Sequence, residues 1–516
     1  MSSPDRRFPR ARSTGAVANP LFSGSRHLTR LSWPAQRFGG ARGQALVWFL
    51  ALLATCVVVL YCVFNLSQVT TAKQHVVNAT DASALAGATQ QARLLNFMAY
   101  GNRAMVATDV LAAQMVSLDA WLRYVGTGSQ NVGTVSQAIP YVGQAIGQVL
   151  NALAQAVERV EVPYGTQVLP AAITAFEGLK QAVGGANELA YQGGATLANQ
   201  AAGHVMAAHR VSANGIGPLH SAPQRPSAAI TGSLQLLNEQ AWREFSSRYA
   251  GSARQRTREV VLAGLDDFTA SRDGNALTNL GTPLARLEKR GGTRLLGFER
   301  WEAQDTWDLR FRSWSWRRGW QWNDSTVPVG WGRADVGGGG HLRWGNTTAQ
   351  RLAFDNRRDI ADHTPPRWSG ISAVRDLSVP ARAQVQPELS FVLVAAQPRA
   401  ALATTHAMGL SAQALSSSPL GSTHLPERLM ADQVGAVSAA RVYFERPQRG
   451  VGDWTAQGSA GQPGLVREDS AKEHASLYNP FWQARLAPVE PTQRAALLSA
   501  WGAPRLAAPA VLEVLP

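Results

Sequence analysis

Residues 298–344 hold eight of the chain's 16 tryptophans, beside arginines and acids that have the ingredients of a ligand site. In LRFRSWSW, Leu309 to Trp316, side chains alternate, so Arg310 and Arg312 lie opposite Leu309 and Phe311. Trp314 and Trp316 share one face, and Trp320 and Trp322 share one on the return strand. Exposed, coplanar indoles bind sugars or stack on bases, and a neighbouring arginine adds cation–π attraction. Arg310, Arg312, Trp314, Trp316, Trp320 and Trp322 are therefore the candidate ligand or partner surface. The plainer role of these rings is core packing, because Trp is heavily buried on average. Core packing is the expectation carried forward.

Four acids, Glu299, Glu302, Asp305 and Asp308, precede the hairpin. Glycoside hydrolysis needs two carboxyl groups at a set separation, and nothing in the spacing sets one. The Gly337–Gly340 run lacks the Lys and Ser/Thr of a phosphate loop and reads as a turn. His204 and His209 are five apart and do not share a helix face. No zinc-protease, Cys-x-x-Cys or nucleophile-elbow motif is present. The sequence assigns no catalytic, cofactor or metal site, and the expectation is a non-enzyme.

The elements that must position this face read as α followed by β. The fold class is α+β: a single N-terminal transmembrane helix continues into a long helical region, then a Trp-rich β-containing domain. Residues 67–210 form the helical exterior region, divided by Pro140, Pro163, Pro170 and Gly184-Gly185. Leu94, Met98, Met105, Leu111, Met115, Leu118 and Leu122 recur at helical spacing and mark a packing seam. Asn96, Asn102, Arg103 and Asp109 on that helix are expected on a solvated face. Residues 211–229 read as a linker and 230–265 as a helix. Residues 266–516 form the β-rich domain. Its hairpin turns at Arg317-Arg318-Gly319, with Gly319 left-handed, and further strands are expected over 371–379, 388–396 and 434–446.

The formal charge of +14 is uneven. Residues 1–43 carry eight Arg against Asp5 alone, in a Ser-, Gly- and Pro-bearing stretch that reads as a disordered basic cytoplasmic tail. Arg so outnumbers Lys along the chain that basicity alone does not indicate nucleic-acid binding. From Gly43 to Ala72 there are 30 residues without a formal charge. Twenty apolar residues at helical rise span roughly 30 Å, the hydrocarbon thickness. The transmembrane helix is set at 44–66, anchored by Ala45, Trp48, Phe49, Leu53, Leu60, Tyr61 and Phe64. Arginines before the span place the N-terminus in the cytoplasm and the larger part outside. Cys56 and Cys62 both fall inside the span, which leaves the exterior part without cysteine.

The stretch RGQALVWFLALLATCVVVLYCVFNLSQVTTAKQHVVNATDASALAGA resembles the N-terminal module of TadE/TadG-like proteins of tight-adherence (Flp) pilus assembly. Its marks are Arg42-Gly43, the polar Lys73-containing stretch and the small residues from Asn78 to Ala88. NFMAYGNRAMVATD (96–109), RVYFERP (441–447) and ASLYNPFWQARL (475–486) resemble a longer TadG-like subgroup. The resemblance implies a bitopic protein of the bacterial inner membrane, with its C-terminal domain periplasmic. It implies Tad pilus or secretion components as partners, and leaves the oligomeric state open. A membrane-tethered carbohydrate- or cell-wall-binding module using the hairpin is the alternative.

Pilins and TadE-type pseudopilins carry Glu five residues after the peptidase-site Gly, where this chain has Trp48. Without that carboxylate a new N-terminal amine would lie unpaired in hydrocarbon, which is costly. Gly43 is therefore expected to stay uncleaved, and N-terminal sequencing of the membrane-extracted protein should not find a mature end at Gln44.

Overall fold

The computed structural model describes residues 44–138, 142–214, 228–249, 254–275, 281–317, 319–322, 326–359, 367–378, 386–398, 433–446 and 473–491. The expected tail at 1–43 and most of the expected linker lie outside them. The chain divides into two units, Met1–Phe64 and Asn65–Pro516, and helix α1 is assigned Gln44–Ser136.

In the first unit every side chain from Ala45 to Leu60 is exposed. Of the anchor residues, Ala45, Trp48, Phe49, Leu53, Leu60 and Phe64 are exposed and Tyr61 is half-buried. Among the described residues this is the one helix long and apolar enough to cross a membrane. Thr55 donates its hydroxyl to the Ala51 carbonyl at 2.8 Å, so this polar group is satisfied within the helix.

The second unit is α+β. Helix α2 (Val142–Pro163) does not break at its proline. The backbone widens into a π turn over Tyr164–Val168 and continues as α3 (Leu169–Asn214). Gly184 and Gly185 lie inside α3 without interrupting it. The helix expected over 230–265 is in fact α4 (Ala228–Phe245), strand β1 (Ser246–Arg248) and α5 (Gln255–Ala263). β1 forms because it pairs antiparallel with β6 (Arg375–Leu377), a partner more than 120 residues away. A short helix α6 (Asp267–Ala270) follows, capped by Asp266, whose carboxylate accepts from the Thr269 amide at 3.1 Å.

A four-stranded antiparallel sheet comes next. Its strands are β2 (Ala285–Leu296), β3 (Arg300–Ser315), β4 (Gly319–Trp322) and β5 (Val327–Gly337). Long β3 pairs with β2 and β5, and its far end pairs with β4. Helix α7 (Thr348–Asp359) opens on a capping box. The Gln350 amide donates to the Thr347 hydroxyl, and the Thr347 amide donates to the Gln350 side chain. Strands β7 (Leu389–Pro398), β8 (Gln433–Phe444) and β9 (Trp482–Ala487) make a second antiparallel sheet, in the order β7-β8-β9.

Within this unit both sheets pack on α1. Val76, Ala79, Ala84, Ala88, Leu95 and Met98 meet Leu389, Phe391, Leu393 and Ala440 of the β7–β9 sheet. Ala112, Ala113, Val116 and Ala120 meet Trp301, Ala303, Ala334 and Val336 of the β2–β5 sheet. Small residues let both sheets approach closely. A Cβ on Gly87 would strike the Phe391 ring, and one on Gly332 would strike the Ala120 carbonyl.

Asn102 and Asp109 of α1 are buried instead of solvated, which overturns the expectation for them. Both are fully buried. Asn102 donates to the Arg375 carbonyl at 2.8 Å and the Leu477 carbonyl at 2.7 Å, and accepts from Asn187 at 3.1 Å. Asp109 pairs with Lys180 at 3.0 Å and accepts from the Ser372 amide at 3.0 Å. Arg103 keeps an exposed flank while donating to the Tyr478 carbonyl at 2.6 Å.

Three edge strands are closed by helix side chains. Asn96 donates to the Trp482 carbonyl at 3.0 Å and accepts from its amide at 2.9 Å, on β9. Asn238 of α4 does the same for Val392 of β7, at 2.8 and 3.0 Å. Thr127 does so for Trp331 of β5, at 2.6 and 2.9 Å. Each side chain replaces a neighbouring strand and leaves no open pair at that point.

Thr127→Val keeps the side-chain shape and removes both bonds to β5. It is expected to cost about 1 kcal/mol in denaturant unfolding of the detergent-extracted chain, a half-buried backbone pair being left unsatisfied. Gly332→Ala should cost at least as much, because the obstacle is backbone.

Candidate functional site

Alternation along β2 and β3 gives their sheet two different faces. Odd-numbered residues, among them Leu295, Trp301 and Ala303, face the helices. The even-numbered residues form the opposite face, where Arg286 pairs with Arg310, Glu288 with Asp308, Arg312 with Trp322, and Trp314 with Trp320.

Glu288 organises this face. Its carboxylate accepts from Arg290 at 2.6 Å and Arg310 at 3.0 Å, with Arg286 at 3.5 Å. Burial opposes ionisation of Glu288, but the bonds from Arg290 and Arg310 outweigh it and hold the carboxyl below its ordinary range. The Trp322 ring is flanked by two guanidinium groups, Arg286 at 4.3 Å and Arg312 at 5.3 Å from its centroid. Arg294 lies 4.3 Å from the Trp344 ring. A polar cleft of about 440 Å³ is lined by Glu288, Arg290, Arg294, Gln304, Thr306 and Trp344.

The hairpin departs from the expected core role. Trp314, Trp316 and Trp320 are 64%, 94% and 48% exposed. Ser315 pairs with Gly319, so the turn starts at Trp316, one residue earlier than expected. Trp316 thus sits in the turn instead of sharing a strand face with Trp314. Gly319 has φ +68°, the left-handed geometry expected of it. Trp314 and Trp320 meet edge to face, with centroids 5.7 Å apart and an interplanar angle of 70°. Other tryptophans of the region do pack inside: Trp301 is fully buried, against Trp368.

The acids form no free catalytic pair among the described residues. Glu299 is exposed. Glu302 and Asp305 occupy opposite faces of β3. Asp305 is held by Arg272 at 2.9 Å and Lys289 at 3.2 Å. Asp308 accepts from Thr347 at 2.7 Å, from Thr326 at 2.5 Å and from the Ala349 amide at 3.0 Å, so it secures the start of α7. Glu302, Asp335 and His341 converge closely enough to hold a cation. Two guanidinium groups already neutralise them, however: Arg333 lies 2.6 Å from Glu302, and Arg300 lies 3.0 Å from Asp335. A divalent ion would have to displace both, so the donor set fits an ion-pair network and not a metal centre.

The remaining clue is the N-terminal stretch. Residues 43–90 match the family model described as putative Flp pilus-assembly TadE/G-like. This segment is TadE/G-like. No curated protein and no solved structure matches the chain. The TadE/G-like match covers the apolar stretch and the small-residue turns that pack against β7–β9. It does not separate TadE-like from TadG-like proteins. The stretches 96–109, 441–446 and 475–486 meet in one place. Asn96 bonds Trp482, and Phe444 packs against Phe481 and Trp482 at 6.1 and 5.4 Å.

Glu288→Gln tests the organisation of the face. The folded carboxyl titrates below its unfolded value, so its contribution is full above the unfolded value near pH 4 and disappears as pH falls through the folded one. The variant should lose about 1 kcal/mol at neutral pH and progressively less as pH falls below the unfolded value, read as unfolding free energy against pH.

Proposed function

We propose that the chain is a single-pass membrane protein of the TadG-like kind, an interaction component in assembly of a Tad (Flp) pilus and not a filament subunit. The observation that carries this is the TadE/G-like match over residues 43–90, coincident with the exposed apolar helix. Trp48 in place of the pilin glutamate supports a retained anchor. The eight arginines before the span favour a cytoplasmic N-terminus and a periplasmic Asn65–Pro516 unit in the bacterial inner membrane. Ion-paired or helix-capping acids in place of a free carboxylate pair support a non-enzymatic role.

Deleting the gene should abolish surface Flp pili. Cross-linking in intact cells should recover Tad assembly or secretion components with the protein, and sheared filaments should lack it. Unaltered piliation, or abundant chain in sheared filaments, would overturn this reading.

A further inference from the structure

We propose that the β3–β4 hairpin is a second membrane contact, dipping its tryptophans into the interface of a bilayer that carries anionic phospholipid. The proposal goes beyond pilus assembly and rests on different residues. The hairpin end is aromatic on its even face and at its turn. Trp314 and Trp320 lie on the even face with Trp316 at the turn, while the odd face of the end carries Ser313, Ser315 and Gln321, and exposed Phe311 lies farther back on β3. A sugar-binding platform would need coplanar rings on one side, and Trp314 and Trp320 stand at 70° to each other. Insertion into an interface places no demand on coplanarity.

The charge is complementary to such a surface. Leu309–Trp322 contains four arginines and no acid. Arg312 is braced against Trp322, and Arg310 is fixed by Glu288. Guanidinium groups behind an aromatic end can reach headgroup phosphates while the rings occupy the interface. The strand ladder from Arg312–Trp322 to Ser315–Gly319 holds the end as one piece, which lowers the ordering cost of insertion.

The test uses the full chain with Cys56→Ala and Cys62→Ala, and an environment-sensitive dye on Ser315→Cys. The protein is reconstituted with excess vesicles of equimolar phosphatidylglycerol and phosphatidylcholine containing a spin-labelled quencher lipid. The dye should shift to the blue and be quenched, whereas a dye on Glu299→Cys should stay in water. Trp314→Ala with Trp316→Ala should weaken the response about tenfold or more, and circular dichroism should confirm retained folding. Arg312→Gln with Arg317→Gln, or high salt, should weaken it as well. A dye that stays water-exposed at 315 overturns the proposal. So does a response equal in the tryptophan variant, or one produced by soluble acidic polysaccharide without vesicles.

Discussion

Side-chain amides and a hydroxyl that stand in for missing strands hold the Asn65–Pro516 unit together. Its two larger sheets end in strands with a free edge, and backbone groups left unpaired away from water are costly. Asn96, Thr127 and Asn238 each offer a donor and an acceptor to both groups of one strand residue. An asparagine side chain is chemically a peptide group, so it matches the geometry that another strand would supply. Two of the three residues lie on α1, which makes that helix the shared wall of both sheets. Asn102 and Asp109 extend the arrangement to the Arg375, Leu477 and Ser372 backbone between the sheets.

This arrangement gives the unit register without disulfides. Apolar contacts between alanines and flat sheet faces tolerate sliding, because small side chains carry little shape. A buried amide bonded to one named residue does not, since a slip leaves several groups unsatisfied. The unit thus combines a permissive apolar seam with a few polar locks. The same logic explains the ion pairs of the β2–β5 sheet. Glu302, Asp305 and Asp308 stay buried because each has cationic or hydroxyl partners. Glu302 and Asp308 are thus committed to structure on the even face, where Arg290 and Arg294 stay exposed.

Much of the fold was legible along the chain. The apolar run beginning at Ala45, the α-then-β order, the left-handed Gly319 and the strands near 389–398 and 433–444 follow from composition, periodicity and turn chemistry. Other elements were not. Strands β2, β5 and β9 are interrupted by Gly or Arg and show no clean alternation, and β1 exists only because β6 lies beside it. The two prolines around Tyr164–Val168 read as breaks, yet a π turn absorbs them. For the site, the residues of the hairpin were visible as a cluster but their exposure was not. Arg286, Glu288 and Arg290 stand in no motif, and their partner Arg310 reaches them only across strands.

The sequence by itself determined the membrane-length apolar segment, the TadE/G-like stretch, the α+β class and the existence of a Trp–Arg hairpin. These depend on local composition and on the short periods of helix and strand. Only the tertiary structure decided which polar residues are buried, which acids are neutralised and which tryptophans face outward. Burial depends on what packs across a face from residues hundreds of positions away. No local pattern records whether Asn102 meets water or the Leu477 carbonyl, or whether Trp314 meets a helix or open solvent.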